Sequence, residues 1–127
     1  MIFNIIGETP SKKNSRIFNT KTKRCFPSER YTKWHFFAKQ QVLCQELEQR
    51  KQTLFVLPID KPCKIKMIFT HGDLKRRDSD NCSSSILDLL IDCGVLKDDN
   101  WKVVKKLEIE NEYVKNQPSC SVEIQPI

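Results

Sequence analysis

The stretch C-S-S-S-I-L-D-L-L-I-D-C-G, Cys82 to Gly94, constrains the fold more than any other segment. At about 100° per residue, Cys82, Ile86, Leu89, Leu90 and Cys93 fall on one face of a helix. Gly94 stands where a left-handed cap closes such a helix. The spacing predicts a helix from about Asp80 to Cys93 with one apolar face to bury.

The flanking segments have the period of strands. Cys63 to Thr70 contains K-I-K-M-I-F, the alternation of a strand with one buried face. Trp101 to Tyr113, with K-K-L-E-I-E, and Cys120 to Ile127 give two final strands. Ile2 to Ile6 is a first strand stopped by Gly7 to Pro10, and Arg16 to Asn19 with Arg24 to Phe26 form a short ribbon around a Lys-rich turn. From Ser28 to about Lys51 a second helix is expected, with Phe36, Phe37, Leu43, Cys44 and Leu47 as its core-facing stripe and Trp34, Ala38 and Val42 beside it. Leu57-Pro58 and Lys61-Pro62 interrupt the pattern. This order gives an α+β fold: one small domain over residues 1–127, a mixed β-sheet and two main helices.

A chain of 127 residues can bury a core without disulfide or metal staples. The six cysteines form no C-x-x-C pair, and the equal spacing of Cys25, Cys44, Cys63 and Cys82 joins segments that do not resemble one another. Neither His35 nor His71 lies at ligand spacing from a cysteine pair, which argues against zinc. Free thiols and an apolar start too short for a signal segment or a membrane span point to a reducing cytoplasm. Cys82 and Cys93 are expected as core filler.

Charge is unevenly spread. Residues 1–40 hold nine Lys/Arg against Glu8 and Glu29, a balance of +7 within a chain total of +6. A cationic front third suits a polyanion, nucleic acid first, or serves general solubility. Lys12, Lys13, Asn14 and Arg16, with Lys75, Arg76 and Arg77 further on, are the candidate phosphate contacts.

The segment L-K-R-R-D-S-D-N places Asp78 and Asp80 two residues apart at the start of the Asp80 to Cys93 helix. In extended chain, residues i and i+2 face one side, so both carboxylates can share a volume. Such a D-x-D can also be a helix cap and a turn residue, with no metal. Asp98 and Asp99 follow the helix in the next loop. Three carboxylates gathered from two loops repel one another unless a cation joins them, and Mg²⁺ accepts carboxylates, waters and phosphate oxygens. The helix between them is about 21 Å long, so the Val95 to Asp99 loop must run back along it to bring Asp99 near Asp78.

R-R-D-S-D-N, the apolar helix and L-D-L-L-I-D-C-G-V-L-K-D-D together resemble the signature of the RusA family of Holliday junction resolvases: R-D-x-D-N-x-x-K, then D-A-L, a helix-ending G and a D-D pair. P-S-K-K-N-S-R resembles that family's Pro-Ser-Asn loop after the first strand. The resemblance implies a small homodimer, bacterial or encoded by a phage or prophage, that binds four-way or otherwise branched DNA and cuts it with Mg²⁺, or Mn²⁺ in its place. It implies Asp78, Asp80 and Asp99 as the catalytic, metal-binding carboxylates, and Arg77, Asn81 and Asp98 as the residues that flank them.

One position departs from the pattern, for Ser84 stands where the family carries lysine. Asp80, Ser84 and Asp88 recur at i, i+4 and i+8, so position 84 lies one turn from an implied metal ligand. Three readings remain open: a Mg²⁺-dependent junction endonuclease, a junction- or DNA-binding protein with weak or lost cleavage, and a protein-interaction module.

Overall fold

The computed structural model of the chain describes residues 1–11, 16–53 and 55–127, with the backbone alone at Arg16, Ile17, Cys25 and Pro27. Eight elements follow in order: β1 (Ile2–Ile6), β2 (Arg16–Asn19), β3 (Arg24–Pro27), α1 (Glu29–Gln49), β4 (Cys63–His71), α2 (Ser79–Asp92), β5 (Val104–Tyr113) and β6 (Ser119–Pro126). β2 and β3 form the expected ribbon. The other four strands make one mixed sheet in the order β1-β6-β4-β5, in which β4 and β5 are parallel and the other pairs antiparallel.

Alternation decides which sheet face is covered. Phe3, Ile5, Ile65, Met67, Phe69, Val122 and Ile124 point to one side and are fully buried. α2 lays Cys82, Ile86, Leu89 and Leu90 into this core, and α1 adds Ala38 and Val42. The opposite face is open and laced with charge pairs, Lys64 to Glu108 and Lys66 to Glu110, each at 3.3 Å. α2 ends as expected: Gly94 adopts φ 72°, and its N–H donates to the Ile91 carbonyl at 3.0 Å.

α1 overturns one expectation. It starts where expected, with Ser28 accepting from the Tyr31 N–H at 3.2 Å as N-cap. The stripe Phe36, Phe37, Leu43, Cys44 and Leu47, however, faces outward, and the buried positions are Tyr31, Ala38, Val42 and Glu46. The reason lies in β1, an edge strand whose outward N–H and C=O groups need partners. Gln41, Gln45 and Gln49, one turn apart on α1, supply them. Their side-chain oxygens accept from the N–H groups of Ile6, Asn4 and Ile2 at 2.8, 2.7 and 2.7 Å. Gln45 and Gln49 donate back to the carbonyls of Asn4 and Ile2 at 2.8 and 2.6 Å. This ladder fixes the rotation of α1 and turns the aromatic stripe away from the core.

Cys44, Cys63, Cys82, Cys93 and Cys120 are free thiols. Burial pushes the Cys82 thiol up and raises Cys93 to about 11, so both serve as packing groups, as expected. Among the described residues no helix is long and apolar enough to cross a membrane.

Gln45→Ala removes two of the five ladder bonds, so a loss of about 1–2 kcal/mol in unfolding free energy is expected from urea denaturation. A variant as stable as the parent would show that the ladder does not hold α1.

Candidate functional site

Three chain segments meet at one end of the sheet: the residues after β1, the turn after β4 and the start of α2. Two side chains of α2 tie the first to the last. The Ser85 hydroxyl donates to the Pro10 carbonyl at 2.6 Å, and the Cys82 thiol to the Thr9 carbonyl at 3.6 Å. Gly72 makes the closest approach, for a Cβ there would stand 2.8 Å from Pro118 Cδ.

Glu8 is the hub of this region. Its carboxylate lies 2.9 Å from His71 Nδ1, 3.4 Å from Arg77 Nη2, and accepts from the Gly72 N–H at 3.4 Å. The side chains of Glu8, His71 and Arg77 are only 15%, 16% and 14% exposed. From His71 the network continues to α2: Nε2 is 2.9 Å from Asn111 Oδ1, and Asn111 Nδ2 donates to the Ser79 hydroxyl at 3.0 Å. Arg77 also grips Asp73 through two bonds of 2.7 and 3.2 Å. That guanidinium, with the Lys75 backbone N–H, holds the Asp73 carboxyl down to about 2. Arg77 therefore braces the turn that carries the implied DNA contacts, while Lys75 and Arg76 beside it are exposed.

Asp78 takes the N-cap position of α2, yet its side chain makes no capping bond. The simple alternative of a capping aspartate therefore does not describe it. Asp78 instead lines a cavity of about 360 Å³ together with Glu8, Arg30, Lys75, Arg76 and Arg77. Asp80 is exposed in the first turn of α2, Asn81 is half-buried, and Ser84 is exposed one turn further along. The positive end of the helix dipole favours negative groups at this point, whether a side chain or a phosphate.

Asp98 and Asp99 stand elsewhere. Because β4 and β5 are parallel, α2 carries the chain back across the sheet, and the loop behind it belongs to the opposite end from Asp78. Asp98 accepts from the Asp99 N–H at 2.7 Å and from the Asn100 side chain at 2.9 Å, bonds that hold its carboxyl low. The Asp99 carboxyl is raised, first by partial desolvation, then by Asp98 and the nearby charge of Asp88. The α2 carboxylate whose charge reaches it is Asp88, about 12 Å along the axis from Asp80. Among the described residues no three His, Cys, Asp or Glu side chains gather closely enough to hold a metal ion. Lys12, Lys13 and Asn14 lie outside the described residues, as does the side chain of Arg16.

A family model, endodeoxyribonuclease RusA, matches residues 7–125. The chain belongs to the RusA family. Its match spans the cavity, all of α2 and the Asp98-Asp99 turn, and the chemistry implied by the family is endodeoxyribonuclease action on branched DNA. No curated protein matches the chain. Within this RusA-family site, sequence reasoning missed Glu8, His71, Asn111 and Arg30. The signal was a charged or polar side chain at the tip of a strand beside a turn glycine, as in Gly7-Glu8 and His71-Gly72.

Glu8→Gln leaves Arg77 and His71 facing an uncharged amide, so a loss of about 1–3 kcal/mol is expected in chemical denaturation. A stability equal to the parent's would remove Glu8 from the role of hub.

Proposed function

We propose that the chain resolves four-way DNA junctions by Mg²⁺-dependent, paired phosphodiester hydrolysis as a homodimer in the bacterial or phage-infected cytoplasm, within DNA recombination and repair. The observation that carries this reading is the Asp78 carboxylate, unused as a cap and set in a cavity with Arg30, Lys75 and Arg76. Cations that hold a phosphodiester there bring it against the Asp78 and Asp80 pair.

Those two side chains fit a hard divalent cation, since Mg²⁺ is commonly held by one or two carboxylates with the substrate phosphate and waters completing its shell. Mn²⁺ has the same preference for oxygen. A cation held there supplies positive charge at the scissile phosphate and makes water a better nucleophile at neutral pH. Asp99 is the third proposed catalytic carboxylate; from the far end of the crossover it acts with Asp78 and Asp80 after the 97–101 turn moves or a second protomer brings it in. Asp98 holds that turn through its two hydrogen bonds, and Asn81 stands behind Asp80. Lys12, Lys13, Asn14 and Arg16 are proposed with Lys75 and Arg76 as contacts to the DNA backbone, where salt should weaken binding strongly. Arg77 acts with them by bracing their turn.

The outward face of α1 supports the dimer. Phe36, Phe37, Leu43 and Leu47 are exposed on a helix that the glutamine ladder holds rigid, and Ile2 and Ile6 are exposed on the strand to which it is bound. Together they leave large apolar side chains open to a partner surface. A second copy applied by a two-fold axis covers them and brings two sites to a junction that needs two cuts. Leu47→Glu should shift the protein from dimer to monomer in sedimentation equilibrium without loss of helicity; an unchanged dimer would remove α1 from the interface.

Ser84 favours a second reading, a junction-binding protein with weak or lost cleavage, because this exposed face of α2 runs Asp80, Ser84, Asp88 with no cation of its own. One experiment separates the two. Purified protein is incubated with a synthetic four-way junction in Mg²⁺ or in EDTA. Symmetric nicks in Mg²⁺ alone, reduced roughly a hundredfold or more by Asp80→Asn, are expected. Ser84→Lys should raise the rate roughly tenfold by restoring a charge beside the phosphate. Tight binding with no product under Mg²⁺ or Mn²⁺ would favour the second reading, and no preference for junction over duplex would sink both.

A further inference from the structure

Tyr31 and Trp34 on α1 are not available to DNA: Tyr31 is buried, and Trp34 is partly buried and packs against the core. The other tryptophan is placed differently. Trp101 is 70% exposed, directly behind the Asp98-Asp99-Asn100 turn. Lys105 Nζ lies 4.6 Å from its ring centroid and Lys102 Nζ 5.9 Å.

This ring is held out by a bonded turn. Asp98 accepts from the Asp99 N–H and the Asn100 side chain, Asn100 Oδ1 accepts from the Lys102 N–H at 2.9 Å, and the Asn100 carbonyl accepts from Val103 and Val104 N–H at 3.1 and 2.9 Å. An indole so exposed leaves much of its apolar surface in water. Two ammonium groups over the ring argue against a protein partner, since lysine is depleted from the cores of protein interfaces. An aromatic plane with adjoining cations is instead the composition that holds a nucleobase by stacking and its phosphate by charge.

We infer that Trp101, with Lys102 and Lys105, is a stacking platform for an unstacked nucleobase of branched DNA. The inference rests on the branched-DNA reading and adds to it a contact that discriminates structure. The bases of linear duplex are stacked on one another, so the platform has no base to take there, whereas a branch point held in its open form leaves base faces exposed. Stacking tolerates any base, so the contact selects shape without reading sequence.

Trp34→Phe leaves Trp101 as the sole indole, and among the described residues Trp34 Nε1 has no hydrogen-bond partner for that change to remove. Titration of this variant with a four-way junction should quench Trp101 emission saturably, and linear duplex should quench it far less. In fluorescence anisotropy with labelled junction, Trp101→Ala should weaken binding roughly tenfold, and Trp101→Phe less than about threefold. Duplex binding should move by less than about twofold in both. Junction binding with unmoved Trp101 emission, or Trp101→Ala binding junction as the parent does, overturns the inference alone. A parent protein that binds no branched DNA overturns the branched-DNA reading, and the inference with it. Should Trp34→Phe fail to fold, the anisotropy comparison decides by itself. A Trp101→Ala protein that loses its dimer while keeping junction affinity would assign the ring to a protein contact and also overturns it.

Discussion

The parallel pairing of β4 with β5 governs the layout of this molecule. Two adjacent parallel strands cannot be joined by a tight turn, so the chain must leave the end of β4, cross back and re-enter at the start of β5. α2 is that return. It gives the core its largest apolar helix face, and it separates the acidic residues before it from those after it. Asp78 and Asp80 sit at the carboxyl end of β4, where open sheets commonly bind their ligands, and Asp98 and Asp99 lie toward the other end.

Much of the fold could be read in the sequence because local periodicity and burial agreed. The α2 face, its glycine stop, the alternation of β4 and the β2-β3 ribbon all follow from side-chain spacing. The start of β5 was placed three residues early, at Trp101, because an exposed aromatic beside valines has the composition of a strand. α1 misled more deeply. Its most hydrophobic stripe is not its buried one, since three glutamines bonded to the edge of β1 set the helix rotation. Periodicity reports that a helix has an apolar face; it does not say whether that face meets this chain's core or another surface.

The site divides in the same way. The D-x-D pair and the cations ahead of it were legible because they are contiguous and belong to a pattern with chemical meaning. Glu8, His71 and Asn111 were not, for they come from the segment after β1, from β4 and from β5, and acquire a common role only when the sheet brings them within 2.9 Å of one another in turn. The gathering of Asp99 with Asp78 was implied by the family resemblance and required the Val95 to Asp99 loop to run back along α2, whereas the crossover leaves that loop toward the other end of the sheet. Spacing sets what a loop can reach, and topology sets the direction in which it leaves.

The open face of the sheet has an electrical consequence. Lys64, Lys66 and Lys106 stand there with Glu108, Glu110, Glu112 and Glu123, three positive charges against four negative, so that face carries no positive excess. The chain nonetheless carries +6, and the excess must reside on its other surfaces. A polyanion approaching from a distance therefore meets a polarised body and exerts a torque on it before any contact forms. Such a torque turns the bare sheet away from the polyanion, and rotational search is shortened by a face that has nothing to offer.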